Sequence, residues 1–313
     1  MRMQTSVMFM GTPEFALPSL ERLAVNGWPI AAVVTQPDRP RGRGRSRIAP
    51  PVKSAALRLG LPVLQPERVR DPAFLDTCRA LAPDVIVVAA FGQILPAALL
   101  EIPRLGSINV HPSLLPKYRG AAPMNWTLIR GESVTGVTIM RMNEAMDAGD
   151  ILIQEETAID PREDYGALHD RLAILGAGLL ARALDGIVSG TLAGIPQNPS
   201  GVTFAPKIGR EDGLIRWDAP ADAVVNLIRG LSPTPGAWTR CAGKILKVFR
   251  AEALPGSVAD APGTVGEATP RGLPVAVRGG RVCLTEVQME NKKRLPIWDF
   301  LRGQRLAPGS RLG

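Results

Sequence analysis

Short, nearly unbroken apolar runs punctuate the first part of the chain. Val7-Met8-Phe9-Met10 ends at Gly11, and Ile30-Ala31-Ala32-Val33-Val34 comes next. Asp84-Val85-Ile86-Val87-Val88-Ala89-Ala90 follows, then Ser107-Ile108-Asn109-Val110. Runs without polar alternation mark strands buried on both faces. Between the runs the apolar spacing is helical, through Phe15, Leu17, Leu20 and Leu23, and again from Lys53 to Leu59. This alternation predicts an α/β domain with a Rossmann-like parallel sheet covered by helices. Strand-like runs at 134–140 and 151–158 extend it. Leu168, Leu172, Leu175, Leu179 and Ile187 share one face of a long predicted helix over 164–188.

The texture then changes. A stretch rich in Gly, Pro and Ser lacks periodicity and reads as a linker over 190–208. Beyond it, strand-like pieces recur at Gly213–Trp217, Ala237–Cys241, Lys244–Arg250, Pro262–Val265, Leu273–Val277 and Arg281–Val287, with helices near 220–229 and 296–302. That pattern predicts a small C-terminal β-barrel over 209–313, OB-like in kind, after a first domain over 1–189.

Composition adds limits. The 313 residues are 45% hydrophobic and 21% charged, ordinary for a globular protein. No uninterrupted apolar run approaches the roughly 18 residues of a membrane span, and the first residues show no signal-peptide pattern. The three cysteines, Cys78, Cys241 and Cys283, are too scattered for a disulfide framework or a CxxC metal site. A cytoplasmic location without membrane contact is expected. The net charge of +8 is uneven: residues 205–313 carry 17 basic against 10 acidic side chains, and residues 36–53 carry six against one. Two basic regions on an otherwise mildly acidic body point to a polyanionic partner.

Histidine is the usual proton carrier near neutral pH, and the chain has two. His169 falls within the long helix and reads as a structural residue. His111 ends a short apolar strand and precedes Pro112, the place where ligands sit in open α/β sheets. Asn109, two residues earlier, shares its face in extended chain. An amide donor beside an imidazole suits a developing oxyanion. A carboxylate to tune His111 must come from elsewhere. Asp147 and Asp150, in a Gly-containing loop between two strand-like runs, both qualify, and both also suit turn capping. Phosphate-binding and dinucleotide glycine motifs, a nucleophile elbow and paired metal-ligating histidines are all missing from the sequence. In Gln36-Pro37-Asp38-Arg39-Pro40-Arg41-Gly42-Arg43-Gly44-Arg45-Ser46-Arg47, arginine alternates with Pro and Gly. A mobile, positive loop without stable helix or strand is expected, suited to phosphate contact on RNA.

Asn109-Val110-His111-Pro112-Ser113-Leu114-Leu115-Pro116, followed by Tyr118-Arg119-Gly120-Ala121-Ala122-Pro123, resembles the signature of the folate-dependent formyltransferases. Gly11-Thr12-Pro13-Glu14-Phe15, the arginine segment, Gly136-Val137-Thr138-Ile139-Met140, Pro235-Gly236-Ala237-Trp238 and Pro262-Gly263-Thr264 are similar to the branch of that family acting on tRNA. The resemblance runs almost end to end. It implies a catalytic trio of Asn109, His111 and Asp147, with Asp147 chosen by its Asp-x-Gly setting. It implies a 10-formyltetrahydrofolate cosubstrate site at Ser113, Leu114, Leu115 and Pro116, with Phe91 and Ile94 near the pterin ring. It further implies that Arg39, Arg41, Arg43 and Arg45, with the barrel, bind initiator methionyl-tRNA, and that the formyl group passes to the methionine α-amine for translation initiation. A metal is not required, and a monomer is expected.

Other readings of the residues remain. A formyltransferase for a small amine would explain the trio but not the basic regions. An RNA-binding module with a decayed catalytic domain would explain the reverse. A dinucleotide-dependent oxidoreductase is disfavoured by the absent glycine fingerprint.

Overall fold

The structure, a computed structural model, describes residues 4–41, 46–256, 259–304 and 306–313. The chain divides into two compact units. The first comprises Met1–Gly120, Thr135–Thr157 and His169–Phe204, and the second Ala121–Val134, Ala158–Leu168 and Ala205–Gly313.

The elements run in chain order as β1 (Val7–Gly11), α1 (Leu17–Val25), β2 (Ile30–Val34), β3 (Arg39–Arg41), β4 (Ser46–Ile48), α2 (Pro51–Arg58), β5 (Val63–Leu64), α3 (Pro72–Leu81), β6 (Val85–Ala89), α4 (Ala97–Leu100), β7 (Ser107–His111), α5 (Pro123–Ile129), β8 (Val134–Arg141), β9 (Ile151–Ala158) and α6 (Tyr165–Ser189). The first unit is built on a seven-stranded sheet of order β5-β2-β1-β6-β7-β8-β9. The predicted apolar runs are its centre: every residue of β1 and β6 is buried, because helices cover both faces. The sheet is parallel from β5 through β7. At β8 it turns antiparallel, with Asn109 opposite Met140 and His111 opposite Thr138. That pairing carries β7 one residue past the predicted end, so His111 sits on the last rung of the ladder.

The long predicted helix is α6. Among the described residues it is the one helix long and apolar enough to cross a membrane, with a mean hydropathy of 1.6 over its most apolar window. Arg182 and Asp185 interrupt the run, but the surrounding Leu, Ile, Val and Ala residues keep the average high. Half of the window is buried inside the protein, through Leu172, Leu179, Leu180 and Leu184, so it packs as a core helix. Its seat on the sheet depends on Gly176. A β-carbon there would lie 2.8 Å from Val110 Cγ1 and 3.4 Å from Val137 Cγ1.

The arginine segment departs from expectation. Its flanks form an antiparallel hairpin, with Arg39 opposite Ile48 and Arg41 opposite Ser46. The base is clamped from outside: Lys53 Nζ reaches both Asp38 oxygens at 2.6 and 2.8 Å, and Gln65 Nε2 donates to Asp38 Oδ1 at 2.8 Å and Gln36 O at 2.9 Å. The Gln65 and Lys53 hydrogen bonds hold the Asp38 carboxyl below its ordinary value. Gly42–Arg45 lie outside the described residues.

Over 190–204 the chain forms little regular structure yet is knitted into the first unit. Ile195 and Ile151 exchange two backbone hydrogen bonds of 2.8 Å, and Arg119 N donates to Thr203 O at 2.9 Å.

In the second unit follow α7 (Ala221–Gly230), β10 (Ala237–Cys241), β11 (Lys244–Leu254), β12 (Leu273–Val277), β13 (Gly280–Met289), β14 (Leu295–Pro296) and α8 (Ile297–Gly303). The sheet order is β10-β11-β13-β12, with β14 beside β13. The strand-like pieces at 213–217 and 262–265 appear only as isolated bridges, Leu214 with Trp238 and Val265 with Val275. Each is still tied in: Ile215 N reaches Trp238 O at 2.8 Å and Val265 N reaches Ser310 O at 2.8 Å, while the C-terminal Gly313 N reaches Arg240 O at 3.0 Å, completing the curl from β12 back to β10. The result is a half-open barrel around Leu246, Val248, Val275, Val282, Leu284 and Val287. In the same unit α5 packs on α7, where Asn125 Nδ2 donates to Gly230 O at 2.8 Å.

Gly176 and Gly178 make a matched pair on α6, because a β-carbon at Gly178 meets nothing within 4 Å. Gly178→Ala is expected to stabilise by about 1 kcal/mol through helix propensity. At Gly176 the same change meets the rigid Val110 and loses about 1–3 kcal/mol to overpacking, cancelling or reversing that gain. Urea unfolding midpoints separate the two, and equal shifts would contradict the close seat of α6 on β7.

Candidate active site

The site grows from the end of β7. Asn109 and His111 alternate with the buried Ile108 and Val110, so both point to one face of the sheet. Asn109 is half-buried, whereas His111 is only 3% exposed. The imidazole Nε2 lies 3.0 Å from the backbone oxygen of Tyr118. Since a carbonyl can only accept, Nε2 carries the proton there, and the neutral ring keeps its lone pair on Nδ1. Tyr118 is itself unusual: buried, with φ of 64°, in the left-handed region non-glycine residues seldom adopt. Its N–H donates to Thr203 Oγ1 at 2.9 Å, which helps hold that turn.

Asp147 Oδ1 stands 3.7 Å from His111 Nδ1. Asp150 lies instead against Gly194, whose added β-carbon would sit 3.1 Å from Asp150 Oδ2. Asp147 also has a left-handed backbone, at φ 51°. Its second oxygen accepts from Gly120 N at 2.8 Å. Two residues on, a β-carbon at Gly149 would fall 1.8 Å from Arg141 O, so the turn closes only with glycine. Gln197 holds the same turn from outside, its Nε2 donating to Asp147 O and Gly149 O, both at 2.8 Å.

Burial pushes His111 below the usual histidine value of 6.5; the Asp147 charge and the Tyr118 hydrogen bond act the other way without overcoming it. The ring therefore rests neutral, with a basic nitrogen aimed at a carboxylate. The Asp147 charge favours the imidazolium without making it the resting form.

Ser113 to Pro116 form a platform rather than a row of free polar groups. Ser113 is fully buried, its hydroxyl donating to Lys117 O at 2.7 Å. Thr138 Oγ1 donates to Ser113 O at 2.6 Å and accepts from Leu115 N at 3.1 Å, while Gln154 Nε2 donates to Leu115 O at 2.8 Å. Leu115 is buried, which leaves the half-buried Leu114 and Pro116 as apolar surface. Phe91 is buried, its carbonyl accepting from Thr12 Oγ1 at 2.8 Å, and Ile94 is 76% exposed. Arg39 is exposed at the hairpin base, Arg41 contributes its backbone to β3, and Arg43 and Arg45 lie outside the described residues.

The other chemically capable groups stay apart. His169 packs edge-on against Phe15, ring centroids 5.6 Å apart. The three cysteines are free and buried, and burial raises the Cys78 thiol to about 11. Among the described residues there is no cluster of three or more His, Cys, Asp or Glu fit for a metal ion. A surface depression of about 370 Å³ among Arg79, Ala82, Ala98, Glu101 and Ile102 precedes β6 and β7, at the opposite end of the strands from His111. Sequence reasoning missed the Tyr118 carbonyl, the Gly120 amide and Gln197, whose roles come from backbone conformation and long-range contact.

Residues 3–184 match the family model described as formyl transferase, and residues 207–305 match that of the formyl transferase C-terminal domain. A methionyl-tRNA formyltransferase of Syntrophus aciditrophicus (strain SB) is 58% identical over 308 residues, 98% of this chain and 99% of that protein. One from Geotalea uraniireducens (strain Rf4) is 50% identical over 98% of this chain and 97% of its own length. The N-formyltransferase of Helicobacter canadensis, solved with folinic acid and dTDP-3-aminofucose, shares the fold at a TM-score of 0.67 and 16% identity, over 93% of this chain and all of that one. Matched end to end at such identity, and carrying both family domains, the chain belongs to the methionyl-tRNA formyltransferase family.

Proposed function

We propose that the protein transfers the formyl group of 10-formyltetrahydrofolate to the α-amine of methionine on initiator methionyl-tRNA. The observation that carries this reading is the buried, neutral His111, tied at Nε2 to the Tyr118 carbonyl and open at Nδ1 beside Asp147. The α-amine attacks the formyl carbon, giving an intermediate with a positive nitrogen and an oxyanion. Asn109 donates to the oxyanion. His111 Nδ1 takes the proton from nitrogen, and the Asp147 carboxylate stabilises the imidazolium formed. The same proton then passes to N10 as the carbon–nitrogen bond to the folate breaks. The proton count closes without a metal.

The folate rests on the apolar surface of Leu114 and Pro116, with Ile94 beside it; Ser113 and Leu115 hold that surface in place through their buried bonds. A catalytic domain over 1–189 and a tRNA-binding barrel over 209–313, joined through 190–208, divide the work. The barrel half supplies most of the net positive charge, and Arg39, Arg41, Arg43 and Arg45 reach the acceptor end. The protein acts in the cytoplasm as a monomer.

Incubation with 10-formyltetrahydrofolate and methionyl-tRNA, read by mass spectrometry, should yield N-formylmethionine. Asn109→Ala and His111→Ala are each expected to lower kcat about 10²–10³-fold or more with the fold retained; near-normal turnover in either would remove it from the mechanism. Arg43→Ala should weaken tRNA use and leave folate binding unchanged, and tRNA binding should weaken steeply with salt. Equal loss of both ligands would make the segment structural instead.

The ring state is testable directly, since the spectrum contains only two histidines and a His169→Gln variant assigns them. His111 should titrate below 6.5, and lower still in Asp147→Asn, which loses the opposing charge. A midpoint above 6.5, or a rise in the variant, would reverse the assigned balance.

A further inference from the structure

We propose that Gln197 is a positioning residue for the formyl-transfer site, holding the Asp147 turn in register with His111. The inference rests on the function proposed above. Gln197 lies in the Pro- and Gly-rich stretch after α6, half-buried, and its amide is fully engaged. Nε2 donates to two backbone oxygens of one turn, Asp147 O and Gly149 O, at 2.8 Å each. Oε1 accepts from Arg119 Nε at 3.0 Å and from a second Arg119 nitrogen at 2.7 Å. A primary amide has two protons and two lone pairs, and all four are used. The orientation is forced, because a flipped amide would set its oxygen against two carbonyls and its protons against a guanidinium.

The two sides it joins are the two sides of the catalytic pair. Arg119 lies between Tyr118, whose carbonyl receives the His111 proton, and Gly120, whose N–H holds the Asp147 carboxylate. Asp147 has an unfavourable left-handed backbone, and the bond to its own carbonyl is one of the contacts that keep it there. Asp147 is the charged side chain acting on the His111 ring. Gln197 therefore sets the 3.7 Å spacing of carboxylate and imidazole through the backbone, without touching the reacting atoms.

Gln197→Glu separates this role from a merely structural one. It keeps the acceptor for Arg119 but turns a lone pair toward both turn carbonyls in place of the two protons. The expected result is a kcat about 10- to 100-fold lower, with KM for both substrates within about threefold. Gln197→Met, of similar length, should lower kcat likewise, and it serves if the glutamate does not fold. Because it adds no charge near the ring, the His111 NMR midpoint in this variant should move down, in the direction of Asp147→Asn. Wild-type kcat in both folded variants would overturn the proposal, as would loss of activity in the methionine variant with an unmoved midpoint. Failure of the wild-type protein to form N-formylmethionine would instead overturn the functional reading, while the midpoint comparison would still decide the role of Gln197.

Discussion

The bond from His111 to the Tyr118 carbonyl is the constraint on which the rest of the site depends. One ring nitrogen is given away to the backbone, so the other is free to do chemistry. The ring is buried, so it stays neutral until a proton arrives. The carboxylate is near but not in hydrogen-bond contact, at 3.7 Å, so the charge it stabilises is one that forms during reaction.

Holding that arrangement shapes the surroundings. Tyr118 and Asp147 both occupy left-handed backbone, which costs of order 1–3 kcal/mol each. Local hydrogen bonds offset the cost: Thr203 and Gly120 on one side, Gln197 on the other. Beneath them β7 is pinned between β6 and β8, and α6 reaches it closely because Gly176 has no side chain. The 190–204 stretch is irregular because it serves this edge of the sheet, supplying Ile195, Gln197 and Thr203 one at a time instead of forming an element of its own.

Much of this was legible in the residue pattern. The unbroken runs around Val87 and Val33 could only be strands covered on both faces, and the leucine spacing of α6 could only be a helix. Asn109 and His111 stood out by position, and the choice of Asp147 over Asp150 came from the family resemblance before the geometry placed it beside the ring. The rest was hidden for physical reasons. The helix at Pro123–Ile129 is short and its Ala122 cap makes no side-chain bond. The arginine hairpin contradicts its own Pro and Gly content because Lys53 and Gln65, far along the chain, clamp its base. The barrel closes through single bridges that leave no alternation to read. Gln197 sits among prolines with nothing local to mark it; its partners are 50 and 78 residues away.

The central claim is that His111 waits as a neutral base with its lone pair toward Asp147. The nitrogen-15 shifts of its ring in the folded protein near neutral pH test this most directly. A protonated Nε2 and an unprotonated Nδ1 are expected. A ring protonated at Nδ1, or at both nitrogens, would contradict the account.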